Sequence, residues 1–434
     1  MHCDGAQSGR PGAARRIGQG ALPQLKVLLL NASYPPNITA GAERVVQTLA
    51  EGLAAGGHKA VVVTTQPTGS SVQREINGVR IYYLPVRNIY RPFSAARPGQ
   101  VRKLIWHAVD SYNPLMARAV GRIIDAEAPD VVNSHNLAGL SSASLGAGRD
   151  ALFARVHTLH DQYLLCPKSV MFKNGVNCKV QCVDCHVLSR PRRTMTRHVD
   201  VVVGVSRFII ERHEQYGYFP NSEKQIILNA LTAEAVHAPI PRNPSDPLRF
   251  GFLGQLRPTK GLHRLVDAFM SGCAADSELW IAGRGDDQYE ADLRARTGAI
   301  NSIRWLGFVR PDEFLASIDV LVVPSLWNDT APLVLIEAFN AGVPVIASDR
   351  GGIPEFIGPD RGWVVDPDDL ATFGKTLRHC IAVRSGLPAM GAAGRAYASR
   401  FNVVRFLDEY LDAFRRGREM MSARMAQARD AQGR

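Results

Sequence analysis

Short runs of consecutive apolar, largely β-branched residues recur along the first half of the chain: Lys26–Leu30, Ala60–Thr64, Val79–Leu84, Asp130–Asn133, Arg155–Leu159 and Val199–Val205. None alternates with polar residues. That pattern suits strands covered on both faces, as in a parallel sheet. Between the first two runs, Val45, Val46, Leu49 and Leu53 fall at helical spacing within Glu43–Ala55, and Gly56-Gly57 stops the helix. A strand, a helix and a second strand in that order predict a βαβ opening and a doubly wound α/β unit.

The segment Pro239–Pro247 breaks the rhythm with Pro, Arg, Asn, Ser and Asp and reads as a linker. The alternation then restarts at Arg249–Leu253, Glu278–Ala282, Ser302–Leu306, Asp319–Val323, Val343–Ala347 and Gly362–Val365. The expectation is an α/β protein with two facing doubly wound domains and a cleft at the carboxyl ends of both sheets, where such folds bind ligands. The boundaries read 1–24 tail, 25–238 first domain, 239–247 linker, 248–400 second domain, and 401–434 a C-terminal helix with a basic tail, packing back toward the first domain.

Length and charge narrow the picture. The 434 residues suit two or three domains, and 46% hydrophobic with 21% charged residues is ordinary globular composition. No apolar run approaches the ~20 residues of a membrane-spanning helix. Residues 1–24 lack the apolar stretch of a secretory signal, so they read as a disordered tail and the protein as cytoplasmic. Ten of the eleven net positive charges sit in segments 1–24, 186–198 and 415–434. The near-neutral body excludes a nucleic-acid groove, which needs basic residues spread through the fold. A local basic segment suits an anionic membrane surface or acceptor, or is simply a solvated face.

Three loops carry candidate chemistry. In Asn31–Gly41, Gly41 opens a helix, where the backbone can approach an anion closely. In Gly254–Gly261, Arg257 and Lys260 stand between two glycines at another helix start, which makes a phosphate site or a solvated basic turn. The third is Asp329–Gly342. A helix is expected from about Ala331 to Ala341 with Pro332 in its first turn, and its one ionisable residue is Glu337. A carboxylate in so apolar a helix needs partners: a pair of ribose hydroxyls, or a salt bridge. Asp329 is a ligand for hydroxyls or a helix cap.

These residues carry a resemblance. Tyr34-Pro-Pro with Gly41-Ala-Glu43-Arg44, Gly254-Gln-Leu with Lys260-Gly261, Ala282-Gly283, Leu306-Gly-Phe308, Asp319–Ser325, Glu337-Ala338 and Gly342–Glu355 occur in an order similar to the GT-B-fold retaining glycosyltransferases of family four. The likeness spans about residues 25–400 and implies two Rossmann-like domains, with the donor held by 248–400 and the acceptor by 25–238. Glu337 matches the second Glu of the family's E-x7-E motif, expected on the donor ribose. Asp329 stands where the first Glu belongs, expected near the donor sugar; the shorter side chain is a departure. Lys260 matches the diphosphate-binding Lys. Gln255 replaces the usual Arg, with Arg257 nearby as a candidate substitute. Gly41 matches the amino-terminal diphosphate loop, and Phe308 and Val309 the loop beside the nucleobase. His160, after the strand ending at Leu159, is expected at the reacting centre; His135 is a weaker candidate. The implied reaction is direct transfer from a nucleotide-diphosphate sugar to a glycan or lipid-linked acceptor, with charge growing on the leaving diphosphate and no catalytic metal. Polysaccharide or glycolipid assembly is the implied setting. A sugar-nucleotide epimerase of the same fold, or a degenerate metal- or redox-responsive binding protein, are the competing readings.

Cys166, Cys178, Cys182 and Cys185 fall within twenty residues, inside a Cys-rich insertion spanning 162–198. Four thiolates at C-x11-C-x3-C-x2-C suit a structural Zn²⁺, and free thiols or a redox disulfide remain open. Arg190, Arg192, Arg193 and Arg197 follow, a candidate contact with anionic lipid.

Overall fold

The computed structural model describes residues 24–36, 41–66, 69–90, 99–148, 152–231, 240, 243, 245–273 and 276–432. The amino-terminal tail, residues 239, 241, 242 and 244 of the Pro239–Pro247 linker and residues 37–40 of the first loop lie outside them. Strands of the first unit are β1 (Lys26–Leu30), β2 (Lys59–Gln66), β3 (Val72–Ile76), β4 (Val79–Pro85), β5 (Val131–Ser134), β6 (Ala154–Leu159), the short pair β7 (Phe172–Lys173) and β8 (Val176–Asn177), β9 (Val201–Gly204) and β10 (Glu223–Ile226). Strands of the second are β11 (Leu248–Leu253), β12 (Ser277–Ala282), β13 (Ile303–Gly307), β14 (Val320–Val323), β15 (Val345–Ser348) and β16 (Gly362–Val365).

The first sheet has the order β10-β9-β6-β5-β1-β2-β4-β3 and the second β13-β12-β11-β14-β15-β16. Every neighbour pair is parallel except β3 with β4. The molecule is therefore α/β with two doubly wound sheets. The interior strands β1, β5, β6 and β9 are buried almost throughout, which is why their sequences read as unbroken apolar runs. The edge strands β3 and β10 went unread because they present mostly polar, exposed residues. A local signal for β3 does exist. Asn77 and Gly78 both take positive φ, 51° and 77°, making the tight hairpin turn that returns the chain antiparallel.

The cores of the two sheets are tied together. Leu28, Val132 and Leu159 of the first sheet belong to the same apolar cluster as Leu321, Ile336, Phe339 and Phe356 of the second unit. The last helix, Val403–Gln432, returns to the first sheet. Its Phe406, Tyr410, Ala413 and Phe414 are buried with Val27, Val131, Val156 and Val201. Gly417 permits close approach: a Cβ there would stand 3.2 Å from Ala154 Cβ. No helix among the described residues is long and apolar enough to cross a membrane.

Candidate functional site

Each candidate loop leaves the carboxyl end of a parallel strand: Asn31 after β1, His135 after β5, His160 after β6, Gly254 after β11, Gly283 after β12, Phe308 after β13 and Pro324 after β14. One topology thus delivers them to the same edge of each sheet.

The loop after β11 is built by close backbone approach. Gly261, at φ 71°, cannot carry a side chain, because a Cβ would stand 1.9 Å from the Pro324 carbonyl oxygen. The Thr259 carbonyl accepts from the Leu326 N–H at 2.9 Å, which welds this loop to the one after β14. The weld places Lys260 Nζ 2.6 Å from Asp329 Oδ2 and 5.4 Å from the centre of the Trp327 ring. Asp329 is largely buried and Lys260 about a quarter exposed. Asp329 therefore does not cap the following helix. That helix runs Leu333–Ala341 and starts two residues later than expected, with Pro332 at the cap and no side chain covering its first N–H groups. The Asp329 carbonyl accepts instead from the Gly352 N–H at 2.8 Å.

The two halves meet at this point. A Cβ on Gly41, the first residue of the helix Gly41–Ala55, would stand 2.9 Å from Leu333 Cδ1, so two helix starts converge across the cleft. Thr330 Oγ1 donates to the His160 carbonyl at 2.6 Å. His160 Nε2 is 2.9 Å from His135 Nδ1, and the rings stack with centroids 5.2 Å apart. Burial pushes the His160 imidazole down to about 4 and that of His135 well below its ordinary value, so both are neutral near pH 7. His135 Nε2 is buried without a hydrogen-bond partner among the described residues, and His135 lines a small cavity with Asn136, His160, Asp161 and Tyr163. Burial pushes the neighbouring Asp161 carboxyl up to about 6.

Other candidates lie further out. Gln255 and Arg257 are exposed. Phe308 is exposed beneath the Arg284 guanidinium at 5.7 Å, while Val309 packs on the shared apolar cluster. Glu337 is half-buried on the Leu333–Ala341 helix and has a polar partner. Arg190, Arg193 and Arg197 are exposed, but Arg192 is not part of a docking face. It is fully buried, stacked on Tyr163 at 4.1 Å, with Nη2 3.7 Å from the buried Asp110 carboxylate.

Two residues bridge the halves in roles the sequence did not suggest, Glu355, read only as part of a motif, and Asn177. Glu355 Oε2 and Oε1 accept from the Arg207 and Phe208 N–H groups at 2.8 Å each, capping a first-unit helix from the second unit. Asn177 Nδ2 donates to the Leu326 carbonyl at 2.6 Å, and the Asn328 N–H donates to Asn177 Oδ1 at 2.8 Å. Asn177 ends the β7–β8 hairpin, whose turn at Asn174 and Gly175, φ 53° and 81°, was a legible Asn-Gly signal. Next to it lie the cysteines. Cys166 and Cys185 Sγ are 3.7 Å apart, and no described cysteine is in a disulfide. Among the described residues no three His, Cys, Asp or Glu side chains already stand as a metal ligand set.

Residues 40–230 match the family model described as Glycosyl transferase 4-like domain, and residues 247–382 the one described as Glycosyl transferases group 1. An uncharacterized 42.6 kDa protein in the cps region of Klebsiella pneumoniae is 31% identical over 348 residues, covering 80% of this chain and 91% of that protein. A GDP-mannose-dependent monoacylated α-(1-6)-phosphatidylinositol monomannoside mannosyltransferase of Corynebacterium glutamicum is 29% identical over 231 residues, 47% of this chain and 59% of its own. The solved structure of Anabaena HepE in complex with UDP and glucose aligns with a TM-score of 0.65 at 18% identity, over 90% of this chain and 99% of that one, a likeness of fold. On these matches and on the two facing parallel sheets, the chain belongs to the GT-B glycosyltransferases of the family-four kind.

Proposed function

We propose that this glycosyltransferase moves a hexose from a nucleotide-diphosphate sugar to a glycan or lipid-linked acceptor, with retention at the anomeric carbon, in polysaccharide or glycolipid assembly. The observation that carries the reading is the Lys260–Asp329 pair at 2.6 Å, set beside two helix starts that converge across the cleft. An ammonium and the N–H groups of helix starts are the donor set a diphosphate needs. On donor binding, Lys260 turns from Asp329 to the diphosphate, and Asp329 accepts from hydroxyls of the transferred sugar. Glu337 takes the ribose hydroxyls. Gly41 lets the amino-terminal helix start approach the phosphates, Phe308 and Val309 flank the base, and Arg257 does the work of the absent arginine at Gln255.

The chemistry follows from charge. As the glycosidic bond breaks, negative charge grows on the leaving diphosphate and positive charge on the sugar. Lys260 and the helix starts stabilise the first without reorganising. The neutral His160–His135 pair, held uncharged by burial, does not oppose the second, and the orphaned His135 Nε2 offers a hydrogen bond to a hydroxyl in the cavity. The leaving phosphate accepts the acceptor's proton. The HepE complex with UDP and glucose and the GDP-mannose-dependent relative support a nucleotide-sugar donor.

The test is a donor screen. UDP-, GDP-, ADP- and dTDP-sugars are mixed with the purified chain, reading thermal shift and release of nucleoside diphosphate. One donor shifts the melting point, and the shift disappears in Lys260→Ala and Glu337→Ala. Anomeric retention is read by NMR of the product. A folded chain that binds none of the panel overturns the reading. A chain that converts the donor to its epimer without acceptor favours the epimerase instead.

A further inference from the structure

We propose that Cys166, Cys178, Cys182 and Cys185 bind one structural zinc ion, and that the hairpin this ion anchors holds the loop after β14 in place through Asn177. The four thiols come from three places that the fold draws together: the buried turn after Leu165, the residue after β8, and the cap and first turn of the helix Val183–Met195. Cys182 and Cys185 are three apart there and share one face.

The spacing of the innermost pair is too long for a disulfide and fits two thiols in contact, which is also the spacing of two ligands on one zinc. A disulfide needs sulfurs at ~2.05 Å. Two sulfurs each ~2.3 Å from one tetrahedral zinc stand ~3.8 Å apart. Cys166 and Cys185 Sγ are 3.7 Å apart. Cys178 and Cys182 are partly exposed, and the proposed site requires their side chains to turn onto the pair while the backbone around them stays pinned. The Cys178 N–H donates to the Met171 carbonyl at 2.7 Å, and Gln181 Nε2 to the Leu165 carbonyl at 2.7 Å. Arg212 Nη2 donates to the Cys178 carbonyl at 2.6 Å, a cation beside what becomes a dianionic centre. The segment also needs a staple. Its only sheet is a hairpin with two residues per strand, exposed over most of its length and too small to hold itself. Coordination deprotonates the thiols, and the protons pass to solvent.

Asn177 directly precedes Cys178 and grips the backbone at both Leu326 and Asn328, one residue before Asp329. Fixing Cys178 therefore fixes Asn177, and with it the strand of backbone that carries the Lys260 partner. This second step rests on the proposed donor role of Lys260 and Asp329.

The reduced full-length chain is incubated with Zn²⁺, freed of excess, and its metal counted. One equivalent is expected, and Co²⁺ exchanged for it shows thiolate-to-cobalt charge-transfer absorption. Cys166→Ser and Cys185→Ser lose the metal. A folded wild-type chain holding less than about a tenth of an equivalent, or a cobalt spectrum without thiolate bands, overturns the site; this stands even where the Ser variants fail to fold. A Cys166–Cys185 disulfide found by mass spectrometry in the reduced, zinc-treated chain overturns it too. Asn177→Ala keeps its zinc and raises the donor KM about tenfold, the effect of two lost hydrogen bonds. Unchanged donor KM in that variant overturns the grip on the loop alone. A wild type that binds zinc but no nucleotide sugar overturns the proposed function and leaves the metal site standing.

Discussion

Replacing Glu355 by Gln tests whether the cleft is held shut by a helix cap. The helix Arg207–Glu214 has Ser206 at its cap position, yet no side chain of its own unit covers its first N–H groups. Ser206 Oγ is buried without a hydrogen-bond partner among the described residues, and a Cβ on Gly352 would come within 2.7 Å of it. Glu355 does the capping from the other side of the cleft, with one oxygen for each N–H. Glutamine keeps one acceptor and turns an NH₂ toward a donor. Losing a cap costs ~0.5–2 kcal/mol. Glu355 is exposed, so screening places the loss near ~1 kcal/mol, about fivefold in the ratio of closed to open forms. Small-angle scattering or a fluorophore pair across the cleft reads that ratio, and kcat/KM for the donor falls by no more than the same factor. Glu355→Ala, with neither acceptor, opens further. High salt narrows the gap between wild type and variant, because one partner is a full charge. The reasoning is refuted if Glu355→Gln leaves both the scattering profile and kcat/KM unchanged. It is refuted equally if the first unit alone loses thermal stability while closure stays as it was, for the cap would then be local.

Other predictions follow from buried charge. Lys260→Ala lowers kcat by about a hundredfold or more, the usual loss when a donor to a developing anion is removed; steady-state kinetics with the donor found in the screen measure it. Arg192→Met leaves the Asp110 carboxylate buried and unpaired, at a cost of ~3–5 kcal/mol in urea unfolding. Adding Asp110→Asn recovers part of that loss. His157, His160 and His213 have folded values of about 3, 4 and 4 through burial, below their unfolded 6.5. The unfolded chain thus binds more protons below pH 6.5, and stability falls as pH drops from 6.5 toward 4. Asp161, raised to about 6, and Asp110, Asp349 and Glu409, also raised by burial, act in the opposite sense, but His58, His107, His135 and His263 are lowered by burial as well, so the histidines outnumber them. Urea midpoints at pH 7, 6 and 5 should decline in that order, and a flat series contradicts the assignment of neutral buried imidazoles.

Both sheets were legible because their interior strands are buried on two faces, which leaves short apolar runs, rich in β-branched residues, alternating with helical patterns. Lys260, Asp329 and Glu337 were legible as charges in unusual company. Their mutual geometry was not, since Lys260 and Asp329 lie 69 residues apart and meet only through the weld between the loops after β11 and β14. The Leu333–Ala341 helix was expected to start at Ala331; its start is set by where Asp329 and Thr330 are anchored, which is tertiary information. Asn177 left no mark of its own, and Glu355 was legible only as the end of a family motif, not as a cap on a helix of the other unit. The importance of each comes from backbone groups on the far side of the cleft, to which its own sequence surroundings give no clue. Arg192 looked like its exposed neighbours because a buried ion pair needs a partner, and Asp110 is 82 residues away in sequence.

The return of the final helix to the first sheet bears on how the chain is made. Val156, Val201 and Val203 emerge from the ribosome early, but the side chains that cover them, Phe406, Tyr410 and Phe414, come last. About 170 residues separate Leu231 from Val403, which at ~5–20 residues per second is roughly ten to thirty seconds of synthesis. Throughout that interval an apolar face of the nascent first unit waits uncovered, open to whatever can shield it until Phe406, Tyr410 and Phe414 arrive.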